Sequence, residues 1–212
     1  MVYKRKLGHF KVCFNNKLLY VRCTKCANSS LYDLFYHQNG FNKKTFKEKE
    51  EFDRFVNSFR GYKFGIIRNP LSRLLSAFYD KIDMSKTKHR KYIEGVYKSW
   101  YKMGMRYNST LNDLIDKIYD IPDYAIDHHL SSQSFRYLDK NNRLLVDKLV
   151  PIEKLPNFLK VLRRNWKIKG KLFHMNRSAN SRHYKTILTS KVHIQKFKRR
   201  YRKDFELTGY KF

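Results

Sequence analysis

The stretch FGIIRNPLSRLLSAFY, residues 64–79, carries the strongest structural signal in this sequence. Its apolar beginning predicts a buried strand over Tyr62–Ile67 that stops at Arg68. Pro70 is well placed to open a helix, because the N–H that proline lacks has no partner in the first helical turn. One face of that helix is apolar and contains Leu71, Leu74, Leu75, Phe78 and Ile82. An arginine beside free N–H groups at a helix start is typical of an anion site, to which Ser76 can add a hydroxyl. Taken alone, the stretch also fits a plain structural junction.

A second junction between a strand and a helix lies upstream, between a strand predicted over Lys17–Cys23 and a helix over Ser30–His37. Small side chains in the loop allow its backbone N–H groups to approach a phosphate, and a lysine adds a cation. The predicted phosphate-binding residues here are Lys25, Cys26, Ala27, Asn28, Ser29 and Ser30. The loop lacks the glycines of the ATPase signature G-x-x-x-x-G-K-[ST], and its lysine comes first, which disfavours a triphosphate hydrolase.

The remaining pattern alternates strands with helices and predicts an α/β fold. A hairpin is predicted from the strands Phe10–Phe14 and Lys17–Cys23 around an Asn15-Asn16 turn. Further helices are predicted over Phe46–Phe59, Lys86–Met103, Leu111–Tyr119 and Leu155–Trp166, and after a cap at Thr189 or Ser190; further strands over Leu144–Pro151 and Lys171–Met175. We expect a phosphate-loop type of three-layer fold, with a small central parallel sheet flanked by helices. No linker interrupts the chain, so a single domain over residues 1–212 is expected.

The charge balance is strongly positive and predicts an anionic partner. Lys and Arg number 47 against 18 Asp and Glu, which gives a net charge of +29. A nucleotide, an acidic glycan, a nucleic acid or an anionic membrane surface would each fit such an excess. No apolar run approaches the length of a membrane span, and the basic N-terminus is not followed by the apolar segment of a signal peptide. We therefore expect a soluble, cytoplasmic protein.

The chain has three cysteines, Cys13, Cys23 and Cys26. An odd number without spaced pairs argues against a disulfide framework. Cys23 and Cys26 form a C-x-x-C, which also occurs in zinc knuckles and redox sites. A second cysteine pair for zinc is missing, so no metal site is predicted, and a redox role is a minor alternative.

In combination, the two junctions resemble the carbohydrate-type sulfotransferases that use 3′-phosphoadenosine 5′-phosphosulfate (PAPS), known as sulfotransferase family 2. The usual pattern there is P-K-x-x-x-[ST]-S followed by R-[DN]-P-x-x-R-x-x-S-x-[YF]. The matching residues are Lys25, Ser29 and Ser30 for the first motif, and Arg68, Asn69, Pro70, Arg73, Ser76 and Phe78 for the second. Weaker similarities follow in the family's order, at Asp127–Gln133, Val146–Leu155, Asn176–Ser178 and Tyr201–Tyr210. The resemblance spans about residues 17–210.

Several positions depart from the family pattern. Thr24 stands where the family usually has proline, and Leu130 replaces a common tryptophan. Cys26-Ala27-Asn28 replaces a loop richer in glycine or alanine, and Thr208 replaces an aromatic residue. None of these changes removes a cation needed for the donor, whereas those near Leu130 bear on the acceptor.

The resemblance implies transfer of a sulfuryl group from PAPS to a hydroxyl or amine of a glycan-like acceptor, anionic or neutral. It implies that Lys25, Ser29 and Ser30 hold the 5′-phosphosulfate, and that Arg68 and Ser76 hold the 3′-phosphate. Lys25 is then the natural residue to neutralise charge on the leaving oxygen. The product would be adenosine 3′,5′-bisphosphate (PAP).

An acceptor hydroxyl needs a general base, and His129 is the first candidate by its match to the family pattern. His128 is the second candidate, and Asp127 can orient either ring. The reserves are His37, Glu153 and Asp33. A structural role for His129, or a contact with the donor, is the alternative.

Two other functions remain open at this point. A kinase of the phosphate-loop class would need glycines in the loop and a second carboxylate for Mg²⁺. A nucleic-acid-binding protein would use the positive charge and interleaved aromatic residues, but it would not require either junction. A specific nucleic-acid partner is therefore not expected, and the oligomeric state is not predicted.

Overall fold

The computed structural model describes residues 10–38, 40–170, 172 and 190–212. The strands are β1 (Phe10–Phe14), β2 (Leu18–Val21), β3 (Asn42–Phe46), β4 (Tyr62–Ile67), β5 (Tyr92–Ile93), β6 (Val96–Tyr97) and β7 (Lys148–Pro151). The helices are α1 (Asn28–Tyr36), α2 (Lys49–Ser58), α3 (Pro70–Lys81), α4 (Lys98–Lys102), α5 (Leu111–Ile118), α6 (Ser134–Tyr137), α7 (Leu155–Trp166), α8 (Lys191–Arg200) and α9 (Arg202–Thr208). Within the described ranges, no helix has both the length and the apolar character that a membrane crossing requires.

The chain divides into two compact units. Unit 1 comprises Met1–Arg68 and Ser132–Arg177, and unit 2 comprises Asn69–Ser131 and Ser178–Phe212. The chain passes from unit 1 to unit 2 directly after β4 and returns just before α6. The organisation as a single domain stays a prediction.

Unit 1 contains a five-stranded sheet in the order β3-β1-β2-β4-β7. Strands β2, β4 and β7 are parallel, with Val21 opposite Gly65 and Ile66 opposite Val150. Strand β1 is antiparallel to both β2 and β3. The parallel core predicted from the sequence is therefore confirmed, and an antiparallel pair extends it at one edge.

Helices cover both faces of this sheet, which gives unit 1 three layers. On one face, Tyr20 and Phe64 stack and contact the rings of Phe35 in α1 and Phe158 in α7. On the other face, aromatic residues of β1 and β3 meet those of α2. These contacts join Phe10 to Phe52, Phe14 to Phe55, and Phe46 to both Phe52 and Phe55. Burial of such large rings supplies much of the stability of the unit.

Unit 2 is largely helical. Its core is formed by buried side chains from α3, α4, α5 and α8, and a two-stranded sheet of β5 and β6 lies between α3 and α4 in the sequence. The most buried large residues of this core include Leu75, Trp100, Leu114 and Phe197.

Most predicted elements are confirmed within a few residues. Strands β1, β2 and β4 and helices α3, α5 and α7 lie where the pattern placed them. Asn15 accepts N–H bonds from Lys17 and Leu18, as the predicted hairpin turn requires. Thr110 caps α5 through a reciprocal pair of hydrogen bonds with Asp113. The strand predicted over Leu144–Pro151 is shorter and forms β7.

The helix predicted over Lys86–Met103 is wrong. The structure has a short 3-10 turn at Met84–Lys86, then the β5–β6 hairpin, and only α4 as a helix. Glu94 and Gly95 both have positive φ, 46° and 74°, and they form the two-residue turn of that hairpin. Two left-handed residues in sequence favour a tight hairpin and cannot continue an α-helix.

Two further differences concern strand β3 and the C-terminal helix. Strand β3 was missed because its first four residues are exposed and show no apolar alternation. Consequently α2 begins at Lys49 rather than at Phe46. The C-terminal helix is interrupted at Tyr201 and forms α8 and α9. The strand predicted over Lys171–Met175, the cap at Thr189 and the Asn176–Ser178 similarity lie outside the described residues, Leu172 excepted.

Candidate active site

The loop between β2 and α1 has an unusual backbone. Lys25 and Ala27 have left-handed φ values of 64° and 52°, and Cys26 between them does not. Alternation of hand turns successive N–H groups toward one concavity, an arrangement that binds anions. Ala27 is also the N-cap of α1, so the loop leads into the positive end of a nine-residue helix. The loop therefore combines a backbone of alternating hand with a helix start, two features of anion-binding loops, without any glycine.

The side chains of this loop face different environments. Cys26 and Ser30 are buried, whereas Ser29 is exposed and Lys25 is half-buried. Cys26 lies with its Sγ 3.5 Å from Oε1 of Gln133, and its backbone N–H donates to the Cys23 carbonyl at 3.4 Å, so both groups already have partners. Asn28 accepts a hydrogen bond of 2.8 Å from Nε of Arg22.

Arg22 is a cation of this region that sequence reasoning missed. Besides its bond to Asn28, its guanidinium lies 4.1 Å from the centre of the Tyr32 ring. Two such contacts hold the charge next to the first turn of α1. A signal was present, since Arg22 directly precedes the C-x-x-C segment at the end of β2.

Arg68 joins the second predicted segment to this loop. Its Nη1 donates a hydrogen bond of 3.2 Å to the carbonyl oxygen of Lys25. The sheet topology explains the meeting, because β2 and β4 are parallel neighbours whose carboxyl ends lie at the same edge. Both residues are half-buried. The two cationic residues that the sequence singled out therefore lie together within unit 1.

Gln133 bridges the same two segments. Its side chain is fully buried, accepts the Arg68 N–H at 2.9 Å and donates to the Arg68 carbonyl at 2.8 Å. The same Oε1 is the atom that faces Cys26. The sequence analysis included Gln133 only as part of a weak similarity and gave it no role. Its position was not readable from the chain, because it follows Arg68 by 65 residues.

The start of α3 differs from the expectation. Pro70 occupies the first turn as predicted, but the side chain of Asn69 accepts the N–H groups of Leu71 and Ser72. These N–H groups are therefore engaged in a helix cap and are not free for an anion. Any anion binding at this junction depends on the Arg68 side chain and the helix dipole. Ser76 lies in α3, half-buried, within unit 2.

Unit 2 contains the predicted acid–base residues. His129 has its Nδ1 2.7 Å from Oδ1 of Asp127, and its backbone N–H donates to the same oxygen at 2.9 Å. The other carboxylate oxygen accepts a bond of 2.6 Å from the Ser99 hydroxyl. The ring of His128 lies 3.9 Å from that of His129, centre to centre. Asp127 therefore orients His129, as the sequence suggested.

Asp127 is held ionised by these neighbours. Burial alone would raise the pKa of its carboxyl, but the hydrogen bond and charge of His129, the charge of His128 and the Ser99 hydroxyl outweigh burial. The net result is a pKa well below the usual range. Because Nδ1 of His129 donates to this carboxylate, the neutral ring carries its lone pair on Nε2, as a general base requires.

The backbone around His129 is held from two elements of unit 2. The guanidinium of Arg73 in α3 donates to the carbonyl of His129 at 3.3 Å and to that of Ser131. The hydroxyl of Tyr201, between α8 and α9, donates to the carbonyl of Leu130 at 2.7 Å. Arg73 is therefore a buried support of this segment, a role that sequence reasoning missed although Arg73 is part of the second motif.

Among the described residues, one group of three could chelate a metal ion, namely Asp127, His128 and His129, whose ligand atoms lie within 4.8 Å of one another. Oδ1 of Asp127 is already engaged by His129, so the group is better described as a hydrogen-bonded acid–base pair. Cys13, Cys23 and Cys26 are buried free thiols, an environment typical of inert rather than reactive cysteine.

The reserve candidates also belong to unit 1. His37 is exposed at the end of α1 and lies 3.4 Å from Asp33 of the same helix. Glu153 is exposed in the 3-10 turn Ile152–Lys154. The choice among candidate bases stays a prediction.

Comparison with known proteins supports the resemblance drawn from the motifs. The model of the sulfotransferase family matches residues 8–211, which is nearly the whole chain. Comparisons with curated proteins and with solved structures gave no significant match. A family match of this extent also includes both junctions and the Asp127–Gln133 segment in one alignment. The chain therefore belongs to the sulfotransferase family.

Proposed function

We propose that this protein transfers a sulfuryl group from PAPS to a hydroxyl or amine of a glycan-like acceptor. Membership of the sulfotransferase family supports sulfuryl transfer in general. The single observation that carries the finer proposal is the bond from the Arg68 guanidinium to the Lys25 carbonyl. It brings two cationic side chains to one edge of a parallel sheet, where a donor with two phosphate-type anions can be bound.

The residues present fit such a donor. The left-handed loop at Lys25 and Ala27, with the start of α1, would hold the 5′-phosphosulfate, and Ser29 and Ser30 would add hydroxyls at that helix start. Arg68, with Ser76 by family analogy, would hold the 3′-phosphate. An arginine fork suits phosphate because its N–H groups match two oxygens at once.

The chemical roles follow from charge and proton transfer. Lys25 neutralises the negative charge that develops on the bridging oxygen as the bond from sulfur to the 5′-phosphate breaks. His129 accepts the proton of the acceptor hydroxyl as the new oxygen–sulfur bond forms, and Asp127 stabilises the resulting imidazolium. His128 is the second candidate for this role. The products are the sulfated acceptor and PAP.

The acceptor class and the location are part of the same proposal. A net charge of +29 favours an acceptor of negative charge, because long-range attraction raises its local concentration. Three free cysteines suit a reducing compartment, and we place the protein in the cytoplasm.

Ligand-dependent stability tests the donor. PAP at 100 times its dissociation constant should stabilise the protein by about 2.7 kcal/mol, measured as a rise of several degrees in the melting temperature. ATP with Mg²⁺, and single-stranded DNA at matched ionic strength, should give much smaller shifts. An equal or larger shift with ATP–Mg²⁺ would favour a kinase, and one with DNA a nucleic-acid-binding protein.

Transfer itself is measured by mass spectrometry. Incubation with PAPS and a panel of neutral and anionic oligosaccharides should add one sulfate to an acceptor and release PAP. PAP binding without transfer to any saccharide of the panel would support PAPS as the donor and contradict a glycan-like acceptor.

A further inference from the structure

We infer that Gln133 is a positioning residue for the donor site, which couples the Lys25 loop to Arg68. The inference rests on the proposed function and adds a residue to it. We assign Gln133 no direct contact with either phosphate group of the donor. It acts through the Lys25 loop and Arg68, which would bind those groups.

The first step concerns how the end of β4 is held. The ladder between β2 and β4 ends at Gly65, and the ladder between β4 and β7 ends at Ile67. Arg68 lies beyond both. The Gln133 amide accepts its N–H and donates to its C=O, so one side chain replaces the missing strand partner. The backbone that carries the guanidinium is therefore fixed in direction although the sheet has ended.

The second step concerns the loop. Oε1 of Gln133 also lies 3.5 Å from Sγ of Cys26, the residue between the two left-handed positions. Both side chains are completely buried. A left-handed backbone at Lys25 and Ala27 carries a conformational cost and persists only where its surroundings hold it. Gln133 is part of those surroundings.

The third step is that no apolar side chain can serve in its place. The Arg68 N–H and C=O that Gln133 engages are partly buried, so leaving them without a partner costs free energy. Removal of the amide would therefore release Arg68 and loosen the loop together. A site that binds two phosphate groups at fixed positions loses affinity when its residues are less preorganised in the free protein.

The experiment compares two buried substitutions that each remove a hydrogen bond to β4. Gln133→Met keeps the approximate length of the side chain and removes the amide. Tyr137→Phe is the control, because its hydroxyl donates to the Ile66 carbonyl at 2.8 Å, on the same strand but before the site. PAP affinity is measured by isothermal titration calorimetry, and stability by thermal unfolding without ligand.

Gln133→Met should weaken PAP binding by about tenfold or more, the loss expected when the partly buried segment that carries Arg68 loses two hydrogen bonds. Tyr137→Phe should lower the melting temperature about as much as Gln133→Met does, but it should leave PAP affinity within about twofold of the wild-type value. Equal PAP affinity in wild type and Gln133→Met would overturn the inference. Should Gln133→Met fail to fold, Gln133→Asn serves, because the shorter amide cannot reach both Arg68 groups and Cys26 at once.

A double-mutant cycle separates positioning from a general structural effect. In an Arg68→Ala background, the amide has no guanidinium left to position, so Gln133→Met should cost clearly less PAP affinity than in the wild type. Fully additive losses would contradict positioning through Arg68. Absence of PAP binding in the wild-type protein would instead reject the proposed function, which keeps the two failures distinct.

Discussion

Lys25 illustrates how one residue can combine strain with charge. Its φ of 64° is unusual for a residue with a side chain, and Ala27 two positions later repeats it. The carbonyl of Lys25 accepts the Arg68 guanidinium, and the next residue is anchored by burial of its thiol. These contacts offset a backbone cost of about 1–3 kcal/mol for each left-handed residue. In many phosphate loops glycine avoids that cost, and here tertiary contacts offset it.

Loss of the Lys25 ammonium should reduce turnover far more than stability. Lys25→Ala is expected to lower turnover by about a hundredfold or more, because a cation that neutralises the leaving oxygen stabilises the transition state selectively. Turnover is measured as PAP release at saturating PAPS, and stability by thermal unfolding.

Lys17→Ala is the matched control for this change. Lys17 is an exposed lysine that precedes β2, whereas Lys25 follows the other end of the same strand. Both variants lower the net charge by one. Near-normal turnover in Lys25→Ala, or an equal loss in Lys17→Ala, would remove Lys25 from the chemistry.

Asp127 gives a prediction about how the stability of the protein depends on pH. Its folded pKa is depressed, so the stability it contributes is present above the pKa of an unfolded aspartate, about 3.9, and is lost as pH falls below that value. Asp127→Asn should therefore destabilise the protein at pH 5, by about 2 kcal/mol or more, because it removes the charged partner of two histidines and a serine. The difference from wild type should shrink as the pH approaches 3.

Denaturant unfolding at the two pH values measures this difference. Asp120→Asn is the control. Asp120 is exposed just after α5 in unit 2, so removal of its charge should change stability little. A difference between wild type and Asp127→Asn that stays constant from pH 5 to pH 3 would contradict the depressed pKa.

Strand β4 and helix α6 are fitted to one another at Gly65. A Cβ at this position would clash with the ring of Tyr137, whose hydroxyl donates to the Ile66 carbonyl. The glycine is therefore needed for close approach of an aromatic ring and not for an unusual backbone angle. This contact places α6, and with it Gln133 just before α6, against the end of β4 within unit 1.

Gly65→Ala should destabilise the protein by about 3 kcal/mol, because the ring must move or give up its hydrogen bond. Thermal unfolding measures the loss. Gly40→Ala is the comparison: its Cβ would meet no atom within 4 Å, so only its left-handed φ of 79° costs energy, about 1 kcal/mol. A milder effect at Gly65 than at Gly40 would mean that the Tyr137 contact is not tight.

Individual elements show why some predictions succeeded and others failed. Helix α7 was predicted to the residue, because its apolar periodicity begins beside a Pro in the first turn and ends at Trp166. The β5–β6 hairpin was missed, because a basic, aromatic segment has no apolar alternation and its turn, Glu94-Gly95, is not among the strongest turn signals. Strand β3 is an exposed edge strand whose pairing with β1 is long-range, so its own sequence gives little signal.

The positive charge of the protein is less uniform than composition implies. The basic side of α8 is not simply a solvated face, because acidic residues of unit 2 engage part of it. Lys196 and His193 contact Asp116 at 2.6 and 3.1 Å, and Arg200 contacts Asp123 at 2.6 Å. The attraction for an anionic acceptor that we propose therefore depends on where unpaired charge remains, and not on the total of +29.

The order of motifs along the chain follows the division into units. The Lys25 loop, Arg68 and Gln133 belong to unit 1, whereas Ser76 and the Asp127–His129 pair belong to unit 2. Two passages of the chain between the units fall inside predicted motifs, directly after Arg68 and directly before Ser132. The second motif therefore contributes Arg68 to unit 1 and Arg73, a support of the candidate base, to unit 2.

Local sequence was sufficient for the strand–helix junctions, because each depends on residues close together in the chain. Apolar runs, Pro70 and the lysine-led loop specify those features directly. The alternation of strands and helices indicated the parallel core, and the order of the motifs indicated the family. Local sequence was not sufficient for the contacts that build the candidate site. Arg68 reaches the Lys25 carbonyl across 43 residues, Gln133 reaches Arg68 across 65, and Tyr201 reaches Leu130 across 71. Such pairs depend on the strand order and register of the sheet and on helix packing, which bring distant residues together only once the chain has folded.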